Sequence, residues 1–455
     1  MKKYPEYKDS GIEWIGKVPQ NWTDFRLNTL ISRNNNGIWG GDPQNNDDDL
    51  VCVRVADFDM DALGVSTKKL TYRNIPENQQ EDRLLNNHTL LIEKSGGGDK
   101  QPVGRVVKYD LDYQAVCSNF IAKLELVDYG NPQYMVYFFN FLYSVGVNKR
   151  AIKQTTGIQN LDTKLYFNER IFLPTPPEQT AIANFLDHKT QQIDELITKK
   201  ERLIELLKEE RTAIINHAVT KGLDPNVPMK DSGIEWLGEM PEHWELKPIK
   251  YLLKDGKEGI KIGPFGSSLK LDILVTEGIK VFGQVNVIND DFTIGNRYIS
   301  EDYFAEMSQY EIVTNDILIT MMGTTGKSKI VPYNIKKGIM DSHLIRLRLN
   351  ESIFHPHYLS YIINDSYSVG QNIFLLGKGS IMHGLNSAVI KSIIIPTPPL
   401  NEQNDIMEFI QKENIRLDKL SNTTNKEIEL LKEFKNALIN EAVTGKIDVR
   451  EYQAH

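Results

Sequence analysis

The stretch ITMMGTTGKSKI, Ile319 to Ile330, places glycines, threonines and a lysine in nearly the order of a phosphate-cradling loop. A nucleotide-binding loop of that kind has four residues between its first glycine and the Gly-Lys-Ser/Thr, because that length wraps successive backbone N–H groups around the phosphates. Here two residues separate Gly323 from Gly326, and Met321 stands where the first glycine belongs. Lys329, Ile330 and Val331 then alternate as a strand does, where a nucleotide site would open a helix. The better parse is a strand, a Gly/Thr/Lys turn and a second strand. Other reactive groupings are incomplete. Asp255-Gly256-Lys257 supplies only the short half of a magnesium-nuclease pattern, and His355 and His357 lack a third metal ligand. Both Pro-Pro pairs follow threonine, so the Asn/Asp-Pro-Pro-aromatic loop of an amino-methyltransferase is missing. Cys52 and Cys117 are too few for a disulfide framework or a thiolate metal site. No catalytic constellation emerges, which leaves binding chemistry.

The elements that must position such residues are written twice. YKDSGIEWIGKVPQNW (Tyr7 to Trp22) returns as MKDSGIEWLGEMPEHW (Met229 to Trp244). LPTPPEQ (Leu173 to Gln179) returns as IPTPPLNEQ (Ile395 to Gln403), read as carrying two extra residues, Leu400 and Asn401. RTAIINHAVTKGLD (Arg211 to Asp224) returns as KNALINEAVTGKID (Lys435 to Asp448). Between these anchors, residues 23–172 and 245–394 share little wording, although both read as short β-rich segments punctuated by glycine. A kept frame with divergent contents suggests one scaffold presenting two reading surfaces; an old duplication with drifting loops is the plainer alternative.

After each Pro-Thr-Pro-Pro the pattern turns helical, as prolines in a first turn favour. One helix carries Ile193, Leu196, Ile204, Leu207, Ile214 and Ala218 at mixed three- and four-residue steps, with Lys200 and Arg211 interrupting; the other carries Leu417, Leu420, Ile428, Leu431, Leu438 and Ala442. Such stripes predict a coiled-coil seam. Gly222 and Gly445 are placed to cap them. At 1.5 Å per residue, about 40 residues would span about 60 Å.

With 455 residues, 40% hydrophobic and 25% charged, the chain reads as an ordinary globular protein of two to four domains. It has no run of about 18 uncharged apolar residues and no apolar signal core at its start, so a cytoplasmic protein without membrane contact is expected. A net charge of −8 argues, by itself, against nucleic acid, yet Lys149, Arg150 and Lys153, or Lys327 and Lys329, can still form local basic faces.

The ordered combination of these motifs, together with IGPFGSSLK (Ile262 to Lys270) and GQVNV (Gly283 to Val287), resembles the specificity subunit of a type I restriction-modification system over essentially the whole chain. That resemblance implies an α+β fold: two β-rich target-recognition domains separated by two long antiparallel helices in a coiled coil, with internal pseudo-two-fold symmetry. It divides the chain into an entry segment at 1–22, a first recognition domain at 23–177, a central helix at 178–228, a second recognition domain at 229–399, and a C-terminal helix and tail at 400–455. It also implies a chain without catalysis of its own. Its partners would be double-stranded DNA, two adenine-methyltransferase subunits and motor-nuclease subunits. S-adenosylmethionine, ATP and Mg would sit on those partners, and no cofactor on this chain. The rival reading is a coiled-coil scaffold for protein partners without sequence-specific DNA binding.

Phosphate contacts need cations or N–H donors on exposed turns, and base edges need Arg, Asn, Gln or short hydroxyl side chains. In the first half this selects Lys94, Ser95, Lys100 and Gln101, then Lys153, Gln154, Thr155, Gln159 and Asn160, with Arg54 and Asp57 as further polar groups. In the second half it selects Ser267, Ser268 and Lys270, Gln284 and Asn286, Thr324, Thr325, Lys327 and Lys329, and Lys378, Ser380 and His383. The plain alternative for each is a soluble β-turn. Trp14, Trp22, Trp236 and Trp244 repeat with the frame and read as packing, and Trp39 reads as a loop cover or a surface contact.

Overall fold

Prolines and glycines bound the two long helices where the sequence places them. In a computed structural model of the chain, which describes residues 2–155, 157–235, 237–321, 325–365 and 386–453, they run from Pro176 to Lys221 and from Leu400 to Val443. The chain divides into two compact units. Residues 1–200 and 426–455 form the first, and residues 201–425 form the second, so each unit takes part of both long helices. No helix among the described residues is long and apolar enough to cross a membrane.

The divergent segments share a topology. In the first unit a four-stranded antiparallel sheet has the order Val106–Lys108, Leu90–Glu93, Ile121–Leu126, Ile31–Asn36. In the second the order is Ser328–Ile330, Ile317–Thr320, Leu344–Leu347, Ile260–Ile262. A three-stranded sheet accompanies each, with Asp49–Val53 central and parallel to Ala115–Cys117 in one, and Ile279–Phe282 central and parallel to Gly338–Met340 in the other. The central strands are apolar on both faces, as strands covered on both sides must be. Burial raises both cysteine thiols to about 12, which fits inert core residues.

The repeated motifs build one junction per unit. In the first, Glu178 is buried at the start of the long helix and accepts from Tyr4 Oη at 2.7 Å, Trp22 Nε1 at 3.1 Å and Asn21 Nδ2 at 3.3 Å. In the second, Glu402 accepts from Trp244 Nε1 at 3.0 Å and lies 2.8 Å from His243 Nε2. Gln179 Nε2 donates to the Tyr129 and Pro174 carbonyls while its Oε1 accepts from Asn131 N–H; Gln403 does the same with Ile353, Pro398 and His355. Glycine closes each junction. Gly222 and Gly445 have φ of +77° and +69°, and a Cβ on Gly445 would lie 2.5 Å from the Pro19 ring and 3.0 Å from Trp22.

Two expectations are corrected here. Leu400 and Asn401 are not an insertion: Pro174 and Pro398 hold equivalent places against Gln179 and Gln403, so Pro176 and Pro177 stand where Leu400 and Asn401 do, and both helices are entered alike. One position of each apolar stripe is also shifted by one residue. Leu196 and Leu420 are exposed, while Ile197 is buried and Ser421 half-buried. The inward positions are then 193, 197, 200, 204, 207, 211, 214 and 218, alternating steps of four and three, so Lys200 and Arg211 lie on the seam itself. Each finds a carboxylate on the other helix. Lys435 pairs with Asp194 and Lys200 with Glu427 in the first unit, and Arg211 pairs with Asp418 and Arg416 with Glu210 in the second.

Candidate nucleic-acid interface

Backbone geometry gathers two of the sequence-selected turns of the first unit into one sheet. Ser95–Gly96 pairs with Ile158–Leu161, which pairs with Ile152–Thr155, so Ser95 faces Asn160 and Gln154 faces Gln159. Ser95 Oγ lies 2.7 Å from Asn160 Oδ1, and exposed Lys153 pairs with Asp162 at 2.7 Å. Gln154 is exposed beside Lys153, and Thr155 pairs by backbone with Ile158, its side chain lying outside the described residues. Lys94 donates to Asn36 Oδ1 at 2.5 Å, and burial lowers its pKa from the usual lysine value.

Beside this sheet a groove of about 930 Å³ opens. Gly96 to Gln101 form one wall, with Lys100 and Gln101 exposed; Arg54, Ser118 and Asn119 line it, and Trp39 and Phe120 flank it. Trp39 is 39% exposed and Phe120 43%, and the Arg73 guanidinium lies 4.7 Å from the Trp39 ring centroid. At its base Arg105 and Glu93 form a buried ion pair at 2.7 Å. Aromatic edges, a glycine turn and cationic or amide side chains are the mixture that stacks on bases and contacts phosphate.

The second unit places different residues at matching positions. Lys94 N–H bonds the Phe120 carbonyl, and Met321 N–H bonds the His343 carbonyl, so Met321 holds the place of Lys94. The described residues flanking the lookalike phosphate loop belong to paired antiparallel strands: Thr320 N–H meets the Lys327 carbonyl and Gly326 N–H the Thr320 carbonyl, each at 2.9 Å. Lys327 is exposed, Lys329 pairs with Asp290 at 2.7 Å, and Thr325 Oγ1 donates to the Met321 carbonyl. Gly37 and Gly263 each pass so close to a neighbouring carbonyl that a Cβ would collide with it, and the residues two further on, Trp39 and Phe265, project at the surface. Phe265 is 85% exposed next to exposed Ser267 and Lys270, while the Ser268 carbonyl accepts from Tyr303 Oη.

Not every selected residue faces outward. Gln159 is buried, with Oε1 accepting from Val103 N–H. Asn286 is buried, accepting from Gly283 N–H at 2.9 Å and donating to the Asp291 and Ile294 carbonyls. Both satisfy backbone inside the fold, which a base contact would break. Asp57 likewise caps Arg54 N–H at 2.8 Å. Gln284, half-buried, opens the helix that Asn286 caps. Thr324, Lys378, Ser380 and His383 lie outside the described residues. Phe120 and Asn119 were missed because neither belongs to a Gly/Lys turn. His355 accepts from His357 N–H at helix entry, as a non-metal role predicts.

Comparison with known proteins now separates the readings. The family model for the type I restriction modification DNA specificity domain matches residues 260–430. A putative type I restriction enzyme MjaX specificity subunit of Methanocaldococcus jannaschii is 24% identical over 445 residues, covering 96% of each chain. The chain is a relative of type I restriction specificity subunits. Its fold matches theirs: a chain from a structure of type I R-M complex assembly and conformational transition superposes with a TM-score of 0.67 at 14% identity, covering 94% of this chain and 98% of that one. The HsdS subunit of Thermoanaerobacter tengcongensis gives 0.56, also at 14% identity, with 96% and 99% covered.

Proposed function

We propose that the chain is the DNA-specificity subunit of a type I restriction-modification complex. Each unit would read one half of a bipartite, asymmetric DNA site. The observation that carries this reading is one strand order and one junction, built twice, with different side chains at equivalent loop positions. Two unlike readers on one frame suit a split, non-palindromic target, because protein symmetry mirrors half-site symmetry.

The two long helices act as an antiparallel coiled coil that sets the spacing. Their cross-helix ion pairs support this, since partner numbers fall along one helix as they rise along the other. Half-sites on one face of a duplex recur about every 34–36 Å, which a stiff rod can match and a loose linker cannot. The chain supplies recognition; adenine-methyltransferase subunits docked on it supply methyl transfer, and motor-nuclease subunits supply cleavage. S-adenosylmethionine, ATP and Mg belong to those subunits.

The test is the methylated-adenine motif in cells carrying the complex, before and after exchange of residues 23–172 for those of another specificity subunit. One half of a split motif changes and the other stays. A motif that changes in both halves or in neither, or methylation by the purified chain alone, overturns the reading; a chain with no sequence preference would be a protein scaffold instead.

A further inference from the structure

The central strand of each three-stranded sheet is followed by a residue whose N–H is capped by a side chain three residues later. In the first unit this is Arg54, capped by Asp57; in the second it is Gly283, capped by Asn286. Arg54 carries the additional feature. Its Nε and Nη2 donate to the two oxygens of buried Asp57 at 3.2 and 2.7 Å, so the guanidinium is held by two bonds while it lines the groove beside Trp39 and Phe120. Two of its five N–H groups are thereby taken, and the Nη1 pair with one Nη2 hydrogen remain as a planar fork.

The second unit sets a guanidinium next to the matching residue by another route. Gly283 has no side chain, and Arg297 fills the space: its Nη2 lies 2.5 Å from where a Cβ on Gly283 would stand. It too is fixed by a buried carboxylate, Asp341 Oδ2, at 2.8 Å. Asp341 is held in turn by accepting from His343 N–H. Each unit therefore holds a carboxylate-fixed guanidinium beside the end of its central strand.

We propose that Arg54 and Arg297 are the guanine-reading residues, one in each half of the DNA site, with Asp57 and Asp341 as positioning residues. This rests on the DNA-reading function proposed above. A fixed fork matches the O6 and N7 acceptors of guanine in the major groove, the pair that only guanine presents. Fixing the guanidinium beforehand removes rotamer entropy that a free arginine would lose on binding. A phosphate can accept the same fork, so selection for guanine, and not affinity alone, is what separates the two contacts.

Binding of the full-length chain, with its methyltransferase partners, to a randomised double-stranded DNA library tests this. The wild type selects at least one guanine in each half. Arg54→Lys keeps the charge and the salt dependence but lowers the preference for guanine at one position by about 10- to 100-fold. The other half stays intact, and that retained preference also reports correct folding. Arg297→Lys does the same in the opposite half, and Asp57→Asn relaxes the same position as Arg54→Lys. An unchanged base preference in both Lys variants, with Arg54→Ala and Arg297→Ala lowering affinity uniformly and making the salt slope shallower, would make these arginines phosphate contacts and overturn the proposal. An unchanged motif would make the ion pairs structural and overturn it equally. If the wild type shows no sequence preference at all, the DNA-reading function itself fails, a result distinct from either.

Discussion

Residue types near the ends of elements acquire their roles from what lies within hydrogen-bond reach. His355 precedes Pro356, the first residue of the helix Pro356–Asp365, and its Nδ1 accepts from His357 N–H at 3.2 Å, which requires that nitrogen to be unprotonated. Burial holds both imidazoles below the ordinary 6.5, opposed at His355 by Glu351 and reinforced at His357 by His355. A histidine whose folded value is depressed contributes stability above its unfolded value and loses it as pH falls towards the folded one. Hydrogen-exchange protection in the first turn of this helix, measured against the intrinsic rate at each pH, is therefore expected to fall between pH 7 and 5, with a loss of about 1 kcal/mol, the usual worth of an N-cap. His355→Asn keeps an acceptor without titrating and flattens that dependence. A wild-type profile that is already flat would show the cap to be unimportant.

Elements are held to one another by buried polar groups at the junctions, and this is why the repeated words are repeated. Glu178 accepts three side-chain donors at the start of the first long helix, and burial together with that carboxylate raises the Tyr4 hydroxyl well above the ordinary tyrosine value. Glu178→Ala leaves Tyr4 and Trp22 donors buried without an acceptor, at about 1–3 kcal/mol each. Chemical denaturation of the variant is expected to show the first unit unfolding earlier by about 2–4 kcal/mol, with the second unit unmoved. Glu402→Ala should reverse the order. Equal destabilisation of both units by either variant would mean that the junctions do not act locally.

At the scale of the whole molecule, the proposed spacer function of the two helices makes a prediction of its own. Insertion of seven residues in each helix at facing positions preserves the heptad phase and lengthens a rod by about 10 Å. The non-specific gap of the DNA motif is expected to grow by about three base pairs, at about 3.4 Å each, while both half-sites keep their sequences. Insertion of seven residues in one helix alone breaks the cross-helix ion pairs Lys200–Glu427 and Arg211–Asp418 and abolishes the activity. A motif whose gap stays constant under the matched insertion would remove the spacer function.

The sequence alone determined the duplicated frame, the two long helices and their glycine stops, because these rest on local rules: proline at a first turn, glycine where φ is positive, and apolar residues at three- and four-residue steps. It also showed that the lookalike phosphate loop has the wrong spacing. Only the tertiary structure decided which polar residues face outward. Gln159 and Asn286 have the same chemistry as Gln154 and Asn160, yet they satisfy buried backbone groups set in place by strands distant in sequence. One position of each stripe was misplaced for a related reason: Leu196 and Leu420 look like seam residues until a second helix selects Ile197 and Ser421 in their stead. The placing of Arg297 beside Gly283, the residue that matches Arg54, was hidden likewise, since a glycine in one unit and an arginine in the other match only after the sheets are laid down. Local geometry is encoded by neighbours along the chain, whereas the exposure of a polar side chain is set by partners that only folding brings near.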